Sequence, residues 1–185
     1  MDKATIRKAI KAKVKALSAS EKQLEAEKVF GAIAEMLCFH AATTILLYHS
    51  LPDELPSHNF VKAWAAFKKV LLPRVNGDIL EIAPYGELQV SDHFGIVEPL
   101  APAVSPLIPD LVIVPAVAFD RSGNRLGRGK GYYDRLLPLC KNAYTLGVAL
   151  DCQMVDSLPV ESHDFPLDAV LTASEHIVIN SFIKS

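Results

Sequence analysis

Asp110-Leu111-Val112-Ile113-Val114 is the stretch that decides the fold. A strand covered on one face alternates apolar with polar residues, whereas a run that is apolar throughout suits a central parallel strand buried on both faces. Upstream, Thr43-Thr44-Ile45-Leu46-Leu47-Tyr48 and Lys69-Val70-Leu71-Leu72-Pro73 read as two further strands, with another over Ile79 to Ala83. Downstream, Tyr144 to Leu150 and a last strand near Asp168 to Leu171 continue the series. Helical patterns stand between them. Lys3 to Leu17 places Ile6, Ile10, Val14 and Leu17 on one face. Ser18 and Glu21 form a capping box opening a second helix to about Leu37, with a stripe of Leu24, Val29, Ile33 and Leu37. Ser57 is expected to cap a helix that sends Phe60, Trp64 and Phe67 to the core, and one more helix follows Gly131. Pro84 to Pro109 reads as loop-rich. Strands alternating with helices predict an α/β fold, a mostly parallel sheet with helices on both faces.

The chain has 185 residues, 50% of them hydrophobic and 22% charged, with a formal net charge of −2. Mean hydropathy is +0.23. This composition excludes a disordered chain and leaves enough length for a single domain over residues 1–185. Near-neutral charge argues against a nucleic-acid partner. No apolar stretch is long enough for a membrane span, and the charged start Met1 to Lys8 does not read as a targeting segment, so a cytoplasmic protein with no membrane partner is expected. Cys38, Cys140 and Cys152 lack metal-ligand spacing and read as free thiols.

The chemistry concentrates in Arg125-Leu126-Gly127-Arg128-Gly129-Lys130-Gly131-Tyr132-Tyr133-Asp134-Arg135. In open α/β sheets ligands bind beyond the carboxyl ends of strands, where a loop following the 110–114 strand would lie. Glycines at 127, 129 and 131 allow positive φ and let backbone N–H groups converge on an anion. Arg125, Arg128 and Lys130 add charge, unpaired in sequence with acids, and the following helix would add its positive end. Tyr132 and Tyr133 can stack on a planar heterocycle, and Asp134 can hold Mg²⁺. The spacing matches neither the Walker A nor the dinucleotide pattern, and a tight turn also uses such glycines. The residues alone point to a phosphate or nucleotide site.

The same run resembles the signature of the 5-formyltetrahydrofolate cyclo-ligase family. The resemblance covers nearly the whole chain: Lys3-x-x-x-Arg7, Ser50 through Glu54, Leu72-Pro73, Gly95-Ile96-Val97-Glu98-Pro99, the 110–119 strand and Gln153 through Asp164. It implies a Rossmann-like three-layer α/β/α domain. The implied activity is ATP- and Mg²⁺-dependent closure of 5-formyltetrahydrofolate, with or without a polyglutamate tail, to the 5,10-methenyl form, with release of ADP and phosphate by a monomer.

By the same resemblance, Lys3, Arg7 and the segment Arg125, Leu126, Gly127, Arg128, Gly129, Lys130, Gly131, Tyr132 and Tyr133 hold ATP. His49 and Glu54, with Arg128, Gly129, Lys130, Gly131 and Tyr132, hold the folate. Asp134 and Asp164 carry Mg²⁺, and Arg128 and Tyr132 act at the reacting group. Where the family carries a Met-x-Phe-like pair, this chain has Leu80-Glu81-Ile82, so an aromatic wall residue is expected to be missing. Ser57 stands where Thr is common, an expected neutral change of helix cap. Two other classes stay open: a module that binds folate or nucleotide without turnover, and a different enzyme on such a sheet, a sugar-phosphate isomerase or a CoA transferase using Glu54 or Glu98.

Overall fold

The computed structural model describes residues 1–90 and 97–183. Gly95 and Ile96 of the quoted motif therefore lie outside the described residues. A seven-stranded sheet runs through the molecule in the order β11-β10-β9-β6-β1-β2-β3, where β1 is Thr44–Leu46, β2 Lys69–Asn76, β3 Ile79–Pro84, β6 Leu111–Val114, β9 Tyr144–Val148, β10 Ala169–Leu171 and β11 His176–Val178. The five inner strands are parallel, and the edge strands β3 and β11 are antiparallel to their neighbours. β6 pairs with β1 on one side and β9 on the other, and all four of its residues are buried.

Pleating sorts these strands into two cores. Ile45, Leu111, Ile113, Leu146 and Leu171 face one cluster with α1 (Lys3–Ala16), α2 (Ala19–Ala34), α3 (Leu37–Ala41) and α4 (His58–Trp64). Leu46, Leu71, Ile82, Val112, Val114 and Val170 face a second cluster, closed by Leu136 and Leu137 at the end of α5 (Tyr132–Leu136). The layers are thus helix, sheet, helix. The amino ends of the parallel strands are stitched by carboxylates. Asp110 Oδ2 accepts from Thr43 N and Oγ1 and from Thr44 N, each at 2.9 Å, and Asp168 Oδ2 accepts from Thr145 N and Oγ1 at 2.8 Å.

Several expectations are corrected. α2 stops at Ala34 and buries Ala26, Val29, Phe30 and Ile33, while Leu24 and Leu37 are 54% and 76% exposed. The five-residue step from Leu24 to Val29 breaks the helical period, whereas 26, 29, 30 and 33 keep it. Phe60 stacks on Phe30 and Trp64 is buried, but Phe67 lies beyond the end of α4 and is 65% exposed. Ser57 makes no side-chain cap, because its hydroxyl is committed to the strand exit described below. The loop-rich middle contains a small hairpin, β4 (Leu88–Val90) with β5 (Val97–Pro99). Cys38 and Cys140 are buried free cysteines and Cys152 is half-buried. Among the described residues no helix is long and apolar enough to cross a membrane.

Candidate active site

Strand order reverses at β1 and β6: the chain proceeds from β1 to β2 on one side and from β6 to β9 on the other. Loops leaving two such neighbours diverge and open a crevice. A cavity of about 810 Å³ occupies that place, lined by the exits of β1 and β6, by α1 and by the glycine loop.

The exit of β1 is built by local hydrogen bonds. Buried Tyr48 donates its hydroxyl to Leu55 O at 2.7 Å, and Ser57 Oγ donates to Tyr48 O. Ser50 and Ser57 exchange backbone-to-hydroxyl bonds at 3.0 Å in both directions. These bonds present Glu54, itself buried, whose Oε2 accepts from Leu51 N at 2.9 Å. Burial raises the Glu54 pKa, with the Arg128 charge and the Leu51 bond opposing. His49 stacks on His58 at 3.7 Å between ring centroids. Burial, with the neighbouring His58 adding, lowers the His49 pKa to about 4, so the imidazole facing the cavity is neutral at pH 7.

The glycine loop is held from a distance. Arg7 Nε donates to Gly127 O at 2.8 Å. Arg135 donates to Asp78 O and to Lys130 O. Positive φ occurs at Gly129 (97°) and Gly131 (65°) but not at Gly127, where the carbonyl faces Arg7 instead. α5 has five residues, too few for the helix-end field expected of it.

Two of the three cations that have no acid beside them in sequence, Arg125 and Arg128, are paired by the fold. Arg125 meets Asp134, and Arg128 Nη1 reaches Asp53 Oδ2 at 3.1 Å while Nη2 reaches Asp53 Oδ1 and, at 3.1 Å, Glu54 Oε1. Lys3 Nζ lies 3.0 Å from both Glu161 and Asp164. Lys130 stays exposed at the rim. Arg125 is nine-tenths buried, lines the cavity, and has no partner for its Nε among the described residues.

Two tyrosines diverge. Tyr133 lies beneath Arg125, 5.5 Å from guanidinium carbon to ring centroid, and burial raises its hydroxyl pKa. Tyr132 also lines the cavity, but its hydroxyl donates to Gly77 O at 3.3 Å in the β2–β3 turn rather than standing free for a reacting group. The wall residue on β3 is Leu80; Ile82, on the same face, sits one step deeper in the core. Glu98 is buried and accepts from Val75 N at 2.8 Å, a structural task in the hairpin packing.

Sequence reasoning passed over Asp53, Lys11 and Glu161. Lys11 follows Arg7 by four residues and continues the Lys3–Arg7 face of α1 along the cavity, a signal that helical spacing already carried. Asp53 and Glu161 carried none, since only the fold brings them to Arg128 and Lys3.

Asp134 and Asp164 both line the cavity and both act electrostatically on the Arg125 guanidinium. No group of three or more His, Cys, Asp or Glu is arranged for a metal among the described residues. The pair therefore does not make an all-protein cage. It does suit Mg²⁺, which keeps its waters and is commonly held by one or two carboxylates together with a nucleotide's phosphates.

Known proteins match this chain over most of its length. The model of the 5-formyltetrahydrofolate cyclo-ligase family matches residues 1–173. The 5-formyltetrahydrofolate cyclo-ligase of Escherichia coli K12 is 39% identical over 147 residues, which is 72% of this chain and 80% of that protein. The Haemophilus influenzae enzyme of the same name is 35% identical over 143 residues, 70% of this chain and 75% of its own length. The solution structure of Aquifex aeolicus 5,10-methenyltetrahydrofolate synthetase superposes with a TM-score of 0.88 at 32% identity, covering 100% of this chain and 96% of that one. The Mycoplasma pneumoniae synthetase gives 0.76 at 27% identity, covering 94% and 99%. With its fold, its switch-point cavity and the match of residues 1–173, this chain belongs to the 5-formyltetrahydrofolate cyclo-ligase family.

Proposed function

We propose that the protein uses ATP to close 5-formyltetrahydrofolate into 5,10-methenyltetrahydrofolate. One observation carries the reading: a single cavity at the sheet's switch point is lined by Lys3, Arg7, Arg125 and Arg128 together with the buried carboxylate of Glu54. The cations suit a triphosphate, and the carboxylate suits the N–H donors of a reduced pterin.

The formyl oxygen on N5 is a poor leaving group. It attacks the γ-phosphorus of ATP, the bond to the β-phosphate oxygen breaks, and ADP departs. N10 then attacks the activated formyl carbon, its proton passes to solvent, and the C–O bond breaks with release of phosphate, leaving the methenyl bridge. The chain's part is positioning and charge neutralisation, the usual demand of phosphoryl transfer. Glu54 fixes the pterin edge, Arg7 and Arg128 carry the phosphate charge, and Arg125, held by Asp134, adds positive charge at the cavity wall. Asp134 and Asp164 would hold Mg²⁺ brought in with the nucleotide, which supplies further neutralisation of phosphate charge. His49, kept neutral, can face the substrate without adding charge.

The test is to mix the purified protein with Mg-ATP and 5-formyltetrahydrofolate and follow the near-ultraviolet absorbance of the methenyl product. Product growth that requires both substrates is expected. Absence of product, with each ligand still raising the melting temperature, would move the protein to the binding-module class.

A further inference from the structure

The Arg128 guanidinium, on which the proposed reaction relies for phosphate charge, is already occupied by carboxylates of the chain itself. Of the five N–H donors of an arginine, three are engaged: two by both oxygens of Asp53 and one by Glu54. An end-on, two-point grip by a carboxylate is the same geometry that an arginine offers to a pair of phosphate oxygens. Two carboxylates share one guanidinium, so an arriving polyanion meets a cluster whose charge is spent. Arg128 sits between Gly127, whose carbonyl accepts from Arg7 Nε, and Gly129, at φ 97°. Asp53 stands on the other wall, on the locally bonded exit of β1. Lys11 of α1 lines the same stretch of cavity and lies within electrostatic reach of Asp53.

We infer that Asp53 is a positioning residue that stores Arg128 against the β1 exit until nucleotide phosphates replace it, with Lys11 the cation left to face Asp53 once Arg128 has gone. The inference rests on the reading of Arg128 as a phosphate-binding cation. In the ligand-free chain Asp53 is the stand-in for phosphate, and phosphate must outcompete it. Removing Asp53 therefore tightens nucleotide binding, the opposite of what damage to a structural residue does.

The experiment measures the dissociation constant of Mg-ATP, without folate, by calorimetry on the full chain and three variants: Asp53→Asn, Arg128→Ala and both together. Asp53→Asn keeps the shape and removes the charge, and is expected to tighten Mg-ATP about five- to tenfold. Losing a negative charge near an anion tightens binding through its field even without Arg128, so the decisive quantity is the coupling. In the Arg128→Ala background the same substitution is expected to gain about twofold or less. An equal gain in both backgrounds, or no gain in either, overturns the storage role. Arg128→Ala alone reports on the reading beneath it: weaker Mg-ATP binding upholds Arg128 as a phosphate cation, and unchanged binding removes both that reading and the storage role.

Discussion

The two walls of the cavity are built in opposite ways. The exit of β1, from Tyr48 to His58, closes on itself through hydrogen bonds between residues no more than nine apart. The loop from Arg125 to Arg135 is tied down chiefly by partners far away in sequence: Arg7, Asp53, Glu54 and the carbonyl of Asp78. The first wall is fixed by bonds among its own residues. The second is held by arginine bonds to carbonyls and by the Arg128 ion pairs at a partly exposed site, contacts of a kind worth little individually. Preorganisation thus sits on the proposed folate side and adaptability on the proposed phosphate side.

Substitutions can break this contrast. Arg128→Ala is expected to lower kcat/KM about 10³-fold, the scale for losing one charge that stabilises a transition state, with a nearly unchanged melting temperature. A loss below tenfold, or unfolding in the same proportion, would erase the distinction between the walls. Glu54→Gln follows, raising the folate KM about 10- to 100-fold as a charged hydrogen bond is lost, while the ATP KM moves less than threefold. Equal effects on both substrates would take Glu54 off the pterin. Ser57→Ala should do the reverse of Arg128→Ala. It strips a buried strand exit of the hydroxyl shared by Tyr48 O and Ser50 N, costing about 1–3 kcal/mol in denaturant unfolding with kinetics nearly intact. A cost below about 0.5 kcal/mol would mean the wall is fixed in some other way.

The smallest effect belongs to His49. Its folded pKa of about 4 lies below the ordinary 6.5, so the unfolded chain binds the proton more readily between those values. The fold accordingly loses stability as pH falls from 6.5 toward about 4, and none of this contribution is lost above 6.5. An NMR titration should find the imidazole protonating near 4, and His58→Ala should move it upward; titration at 6.5 would show that the stack is open in solution.

The legibility of the sequence follows the same divide. β6 was readable because Leu111 to Val114 is apolar on both faces, and a buried strand is specified by its own residues. The capping box of Ser18 and Glu21 was readable because both halves lie within one turn, and the structure forms it. Ser57 was misread since a serine before a helix suits a cap, yet the hydroxyl is taken by Tyr48 O nine residues back. Phe67 was misread since aromatic content says nothing about where a helix ends.

Sequence alone determined the α/β class, most strands of the sheet and the glycine segment that lines the cavity, because periodicity, caps and glycine spacing act over a few residues. The tertiary structure decided which charges meet: Arg125 with Asp134, Arg128 with Asp53 and Glu54, Lys3 with Glu161 and Asp164. Arg128 lies 75 residues from Asp53 and Lys3 161 from Asp164, distances over which no local preference acts. Only the packing of α1 and of the β1 exit around the switch point closes those gaps, and the state of the site in the free chain is set there.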